Sequence, residues 1–209
     1  MQTLLARLYD APVEHDVNDF LLIDERRLRD LTGLQVHTDE QVLLLEDSHG
    51  VRVGVYISSE VLARLTKHDP MRALDDDNLA DFCTALEGVS HFHYLMWSVN
   101  RGRTVSLLEL ELQAEVDKYA TALSLMTRQR DGRFPHALHP RLFHHIAFAP
   151  TLDVESKRRY EEANRHAARY CRALEERFLR TRHSKPERWL GELRKFFRAS
   201  REEKLRVSG

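Results

Sequence analysis

The residues best suited to chemistry fall in two pairs near the middle of the chain. Glu87 and His91 stand four apart, as do Glu111 and Glu115, so on helices each pair shares one face. Two antiparallel helices in suitable register would bring three carboxylates and one imidazole together, a donor set suited to iron, manganese or zinc. The spacing departs from the carboxylate-bridged two-metal bundles, which use Glu-x-x-His twice, whereas Glu-x-x-x-His occurs here once. The competing expectation leaves these groups on an exposed side. Glu87 would then pair with His91, and Glu111 and Glu115 with Lys118 and the Arg101/Arg103 turn. His93 lies on the apolar stripe of the same segment and reads as a core histidine.

A second group is His136-x-x-His139 with His144 and His145. Pro135 and Pro140 bracket the first pair and no glutamate accompanies it, so it lacks the His-Glu-x-x-His pattern of zinc proteases. It reads as a proline-pinned surface loop. A third group is basic: Arg158, Arg165, Arg169, Arg172, Arg180, Arg188 and Lys195, with Trp189, Phe196 and Phe197 close by. Such a face suits phosphate contacts, and the aromatics could stack on bases. Their helical spacing equally places them in a core, with several arginines paired to Glu161, Glu162, Glu175 and Glu176. No serine sits in a Gly-x-Ser-x-Gly elbow and no glycine-rich phosphate loop is present. Cys83 and Cys171, the two cysteines, fall on apolar faces and read as small buried hydrophobes.

Two helices must position the central residues. Leu79, Phe82, Leu86, Val89, His93 and Met96 recur at helical steps and predict a helix over 78–99. Asn78 stands at its start, after Asp75, Asp76 and Asp77. Asn100-Arg101-Gly102-Arg103 breaks the pattern, and Ser106 with Glu109 forms a capping box before a second helix over 107–127. Upstream, a short helix over 3–9, an apolar run at 20–23 and a helix from Asp24 to Gly33 are expected. Val42–Leu45 and the alternating Val51, Val53, Val55 and Ile57 predict a hairpin, with 20–23 as its third strand. Ser58 and Ser59 cap a helix over 60–67. Residues 129–153 lose helical period and read as a long loop. Helices follow over 154–181 and 185–199, the latter started by Ser184-Lys185-Pro186-Glu187. The last residues, REEKLRVSG, are expected to fray.

The fold expected is therefore α+β and predominantly helical: a small antiparallel sheet at 20–57, packed by the hairpin and the C-terminal helices. The 209 residues are read as a single domain, with an α/β part over 1–70 and a helical part over 75–200. Apolar residues make up 42% and charged residues 31%, as in soluble proteins. No apolar run is long enough to span a bilayer. Arg7, Asp10 and Glu14 interrupt any signal-peptide segment, so a cytoplasmic location is expected. The net charge of −1 hides a polarity, since residues 157–209 hold 17 basic and 8 acidic side chains. With no specific catalytic motif and no cofactor required, the first functional reading is a non-enzymatic adaptor. It binds a protein partner, with self-association left open, through the basic C-terminal helices. The alternative is nucleic-acid binding through 157–206. The second alternative is a metal-dependent enzyme at Glu87, His91, Glu111 and Glu115.

Overall fold

A computed structural model describes residues 1–33, 38–47, 50–144, 153–179 and 186–209. At its centre, α4 (Leu79–Val99) and α5 (Leu107–Gln129) form the expected helical hairpin. Gly102 takes a left-handed conformation at the turn, φ 66°, which a side chain would strain. Ser106 accepts a hydrogen bond from the Glu109 amide at 3.2 Å. The Glu109 carboxylate does not close the expected box; it accepts from the Tyr94 hydroxyl at 2.5 Å instead. Asn78 likewise offers its side chain to the loop before α4, accepting from the Asp75 amide.

The two helices are buried all round, not on one stripe. In α4 every residue from Gly88 to Leu95 is buried, and successive helical residues point in every direction. Neighbours lie on opposite sides: α4 packs on the sheet and on α5, and α5 packs on α7 (Val154–Leu174). This overturns the expectation that the acids of the hairpin face solvent. Polar residues of α4 and α5 enter the interior and must find partners there.

The sheet has the strand order β1-β3-β2, with β1 (Leu21–Leu22), β2 (Glu40–Asp47) and β3 (Gly50–Ile57). The expected hairpin is present, Val42 facing Val55 across it. The sheet is mixed, however, because β1 pairs parallel to β3, Leu21 opposite Val55. The helix α2 (Glu25–Thr32) intervenes after β1, so β1 reaches the far edge of β3 without continuing a meander. Gly88 lets α4 approach this sheet. A Cβ there would stand 3.0 Å from Glu40 Cγ and 3.0 Å from Val55 Cγ1, closer than ordinary packing allows.

Helix α1 (Gln2–Tyr9) and α3 (Ser59–Lys67) flank the hairpin, α3 started by Ser58, which accepts from the Val61 amide. A short α6 (Leu138–Phe143) lies inside the segment expected to be a loop. Helix α7 is capped by Asp153 and continues as a π-helical turn over Glu175–Leu179. It is followed by α8 (Pro186–Arg198) and α9 (Arg201–Val207). The cap expected at Ser184 lies outside the described residues. The chain end does not fray: Ser200 and Glu203 form a full capping box, and Lys204 of α9 is completely buried. Trp189, Phe196 and Phe197 are buried too. Phe197 stacks on Tyr9 at 4.3 Å and meets Trp97 edge-on at 4.8 Å. Burial of that ring contributes about 2–3 kcal/mol by transfer of apolar area. No described helix is long and apolar enough to cross a membrane.

Candidate metal centre

The α4–α5 register brings three of the four central residues together. Glu87, His91 and Glu111 each offer one ligand atom, and these atoms lie within 4.8 Å of one another. His91 is buried, 7% exposed. Its Nε2 stands 3.5 Å from Glu111 Oε2, and its Nδ1 stands 3.5 Å from Glu40 Oε1. Glu115 takes a different partner. Lys118, one turn on, lies 2.5 Å from Glu115 Oε1 and 3.0 Å from Glu87 Oε2, tying Glu115 away from the set while steadying Glu87.

The contacts of His91 are long for hydrogen bonds, which cluster near 2.9 Å. His91 Nε2 and Glu40 Oε1 are buried without a hydrogen-bond partner among the described residues. A tetrahedral cation with bonds of about 2.0–2.2 Å separates its ligand atoms by roughly 3.3–3.6 Å. The His91–Glu111 spacing falls in that range. An imidazole ligates one cation through one nitrogen while the other donates to a carboxylate, and Glu40 stands where it would accept from Nδ1. One imidazole and two carboxylates suit zinc, manganese or iron(II).

The electrostatics are those of buried, mutually dependent charges. Burial disfavours the His91 imidazolium, but Glu111 and Glu40 outweigh it and raise the pKa well above the usual histidine value. Burial raises the Glu40 carboxyl, with His91 opposing. Burial also raises Glu115 against the pull of Lys118. For Glu87 the balance reverses, because Lys118 and His91 overcome burial and lower it. Lys118 is held charged by Glu115 and Glu87 despite its burial. Arg159 of α7 completes the surroundings, its Nε 3.6 Å from Glu111 Oε1.

A cleft of about 340 Å³ opens onto this group between the sheet, α4, α5 and α7. Glu40, His91, Glu111 and Arg159 are among its polar lining residues. Val42, Leu44 and Leu107 belong to its apolar wall, Leu44 and Leu107 being more than half exposed.

Known protein families, curated proteins and solved structures contain no match to this chain.

Of the histidine group only His139 and His144 meet among the described residues, edge to face at 5.9 Å, His144 being exposed. His139 is a core residue whose Nε2 meets the Ala168 carbonyl at 2.8 Å and whose ring packs against Phe143. His136 is exposed beside Phe134, and His145 lies outside the described residues. His93 is fully buried beside Phe197, as its stripe implied. Arg158, Arg165, Arg169 and Arg172 are exposed on α7, at spacings that set them on one face. Arg172 is paired with Glu175 and Glu176. Arg188 and Lys195 are exposed on α8, Lys195 bound to Glu192, and Arg180 lies outside the described residues. The aromatics between them are core, which removes them as stacking platforms. Other C-terminal cations serve the fold: Arg194 donates to the carbonyls of Leu8 and Arg7, and Arg198 to that of Asp10, at the end of α1. Sequence reasoning missed Glu40 and Arg159 as neighbours of the centre. Neither lies on the hairpin, and no spacing rule relates them to it.

Proposed function

We propose that the protein is a metal-dependent enzyme whose single divalent cation is held by His91 Nε2, Glu111 and Glu87, with Glu40 orienting the imidazole. The observation that carries this reading is the buried His91 Nε2. It has no hydrogen-bond partner among the described residues, sits at ligand spacing from Glu111 Oε2, and faces a cleft. A cation there would polarise a substrate oxygen or acidify a bound water. The test is metal analysis of protein expressed with zinc, manganese and iron supplied. About one equivalent per chain is expected, lost in His91→Gln and Glu111→Gln while the circular dichroism spectrum is kept. Wild-type protein that carries no metal and takes none up on titration would defeat the reading.

A second reading is favoured by the α7 surface. Arg158, Arg165 and Arg169 are exposed on one face and have no acidic partner among the described residues. They would let the protein act as an adaptor for an acidic partner or a nucleic acid. Such binding should weaken steeply with salt and vanish in Arg165→Glu/Arg169→Glu, and salt-independent absence of binding would remove it.

A further inference from the structure

The cleft beside the proposed cation has a composition that narrows what enters it. Arg159 lines it and is the one permanently cationic side chain among its described lining residues. Of its nitrogens, only Nη2 has a hydrogen-bond acceptor among the described residues, the Ser156 hydroxyl at 3.3 Å. Nε is buried without a hydrogen bond, its 3.6 Å separation from Glu111 Oε1 being an ion-pair distance too long for one. A guanidinium with free donors suits a carboxylate or phosphoryl group, which it can grip through two nitrogens. Val42, Leu44 and Leu107 continue the lining with apolar surface, Leu44 and Leu107 open to solvent, in a space at the small end of the range for ligand pockets.

The acids of the site decide when an anion can enter. Without a cation, Glu40 and Glu111 face the same space and Glu111 holds the attention of Arg159. A dication on Glu111 neutralises that carboxylate and releases the guanidinium. The cation, its charge balanced by Glu111 and Glu87, keeps coordination positions open to an anionic ligand, and Arg159 stands beside it.

Resting on the metal reading above, we infer that the substrate is a small oxyanion with an apolar body, its anionic head on Arg159 beside the cation and its body along Val42, Leu44 and Leu107. Binding is therefore ordered, the cation before the anion. By thermodynamic reciprocity each tightens the other.

The experiment uses the full chain loaded with cobalt(II), whose visible spectrum reports its ligands and neighbours. Octanoate, octyl phosphate and acetate are titrated into the apo protein, the cobalt protein, and cobalt-loaded Arg159→Gln and Arg159→Lys. Octanoate or octyl phosphate should perturb the cobalt spectrum saturably, whichever binds tighter naming the head group, with acetate weaker by about tenfold or more. Apo protein should show no saturable binding by calorimetry. Arg159→Gln should keep one cobalt and lose about tenfold or more in affinity, the loss of a charged hydrogen-bonded pair. Arg159→Lys should fall between. Cobalt bound with no response to any probe, equal affinity in Arg159→Gln, or equal affinity in apo protein overturns the anion site and leaves the metal reading standing. Failure to bind cobalt overturns both.

Discussion

Two polar groups lie on different sides of the same helix pair, and they differ in how completely they are satisfied. The first runs through the core. Asp117 accepts from Tyr9, from Ser90 at 2.6 Å and from Gln113 at 2.7 Å. Gln113 in turn accepts from Lys204 of α9 at 2.9 Å, and Lys204 also donates to Tyr94 at 2.7 Å. Tyr94 donates to Glu109, which Arg103 approaches from the hairpin turn at 3.4 Å. The second holds Glu40, Glu87, His91 and Glu111. Its central imidazole has 3.5 Å contacts, an unpartnered nitrogen, and a cleft at its side. Unmet hydrogen-bonding capacity in a buried group is costly. A core network that meets it fastens the chain end, as the first does. One that leaves it unmet beside a cleft has donors and acceptors to offer a ligand, which is what the proposed function uses.

The largest expected effect lies in the first group. Lys204→Ala takes the buried donor away from Tyr94 and Gln113 and leaves a cavity among buried polar groups, and should cost about 3–5 kcal/mol by urea unfolding. Glu40→Gln, which removes a carboxylate that burial already disfavours, should change metal-free stability by about 1 kcal/mol or less. Equal costs at the two sites would erase the distinction.

pH should separate the groups next. Burial pulls the Lys204 ammonium down to about 7 against Glu109 and Asp117, with Arg103 assisting and Tyr94 in contact. A folded-state value below the ordinary one means a proton lost on folding between about pH 7 and 10.5, so this group adds stability as pH rises through that window. His91 is raised, so its contribution is full below pH 6.5 and fades as pH climbs through the folded value. Between pH 7 and 9, Lys204→Met should lose stability relative to wild type, on the order of 2 kcal/mol, and His91→Gln should gain it. Unfolding curves of the metal-free proteins at both pH values check this.

Gly88→Ala sharpens the role of Glu40. The new Cβ would press on Glu40 and Val55, costing about 1–3 kcal/mol. Displacing the carboxylate that orients His91 should weaken metal affinity by roughly tenfold to a hundredfold, measured against a chelating dye. The smallest effect belongs to the exposed α7 face. Arg165→Glu/Arg169→Glu should leave unfolding free energy within about 0.5 kcal/mol of wild type.

Much of the scaffold was legible because its signals are local. Ser58, Gly33 and the Ser106 cap, the helical period of the hairpin and the alternation of Val51–Ile57 each depend on neighbours in sequence. Glu87, His91 and Glu111 could be paired for the same reason, since i, i+4 spacing fixes a helix face. Their burial could not be read, because it depends on the sheet and α7 covering sides that the apolar stripe alone leaves open. Glu40 and Arg159 arrive from β2 and α7, and one acid of the Asp39-Glu40 pair or one arginine of the Lys157-Arg158-Arg159 run carries no mark of its destination. The parallel pairing of β1 was hidden for a similar reason: two residues of strand carry too little pattern to fix direction. Lys204 was hidden most deeply, in a charged tail, because its burial is made tolerable by Tyr94, Gln113, Glu109 and Asp117, all distant in sequence.

The central claim is tested most directly by anomalous diffraction from crystals of the manganese- or zinc-loaded protein. The account predicts one strong anomalous peak about 2.0–2.2 Å from His91 Nε2, with Glu111 and Glu87 among its ligands and Glu40 on Nδ1. Loaded crystals with no peak there, and His91 still lodged between Glu40 and Glu111, would contradict it.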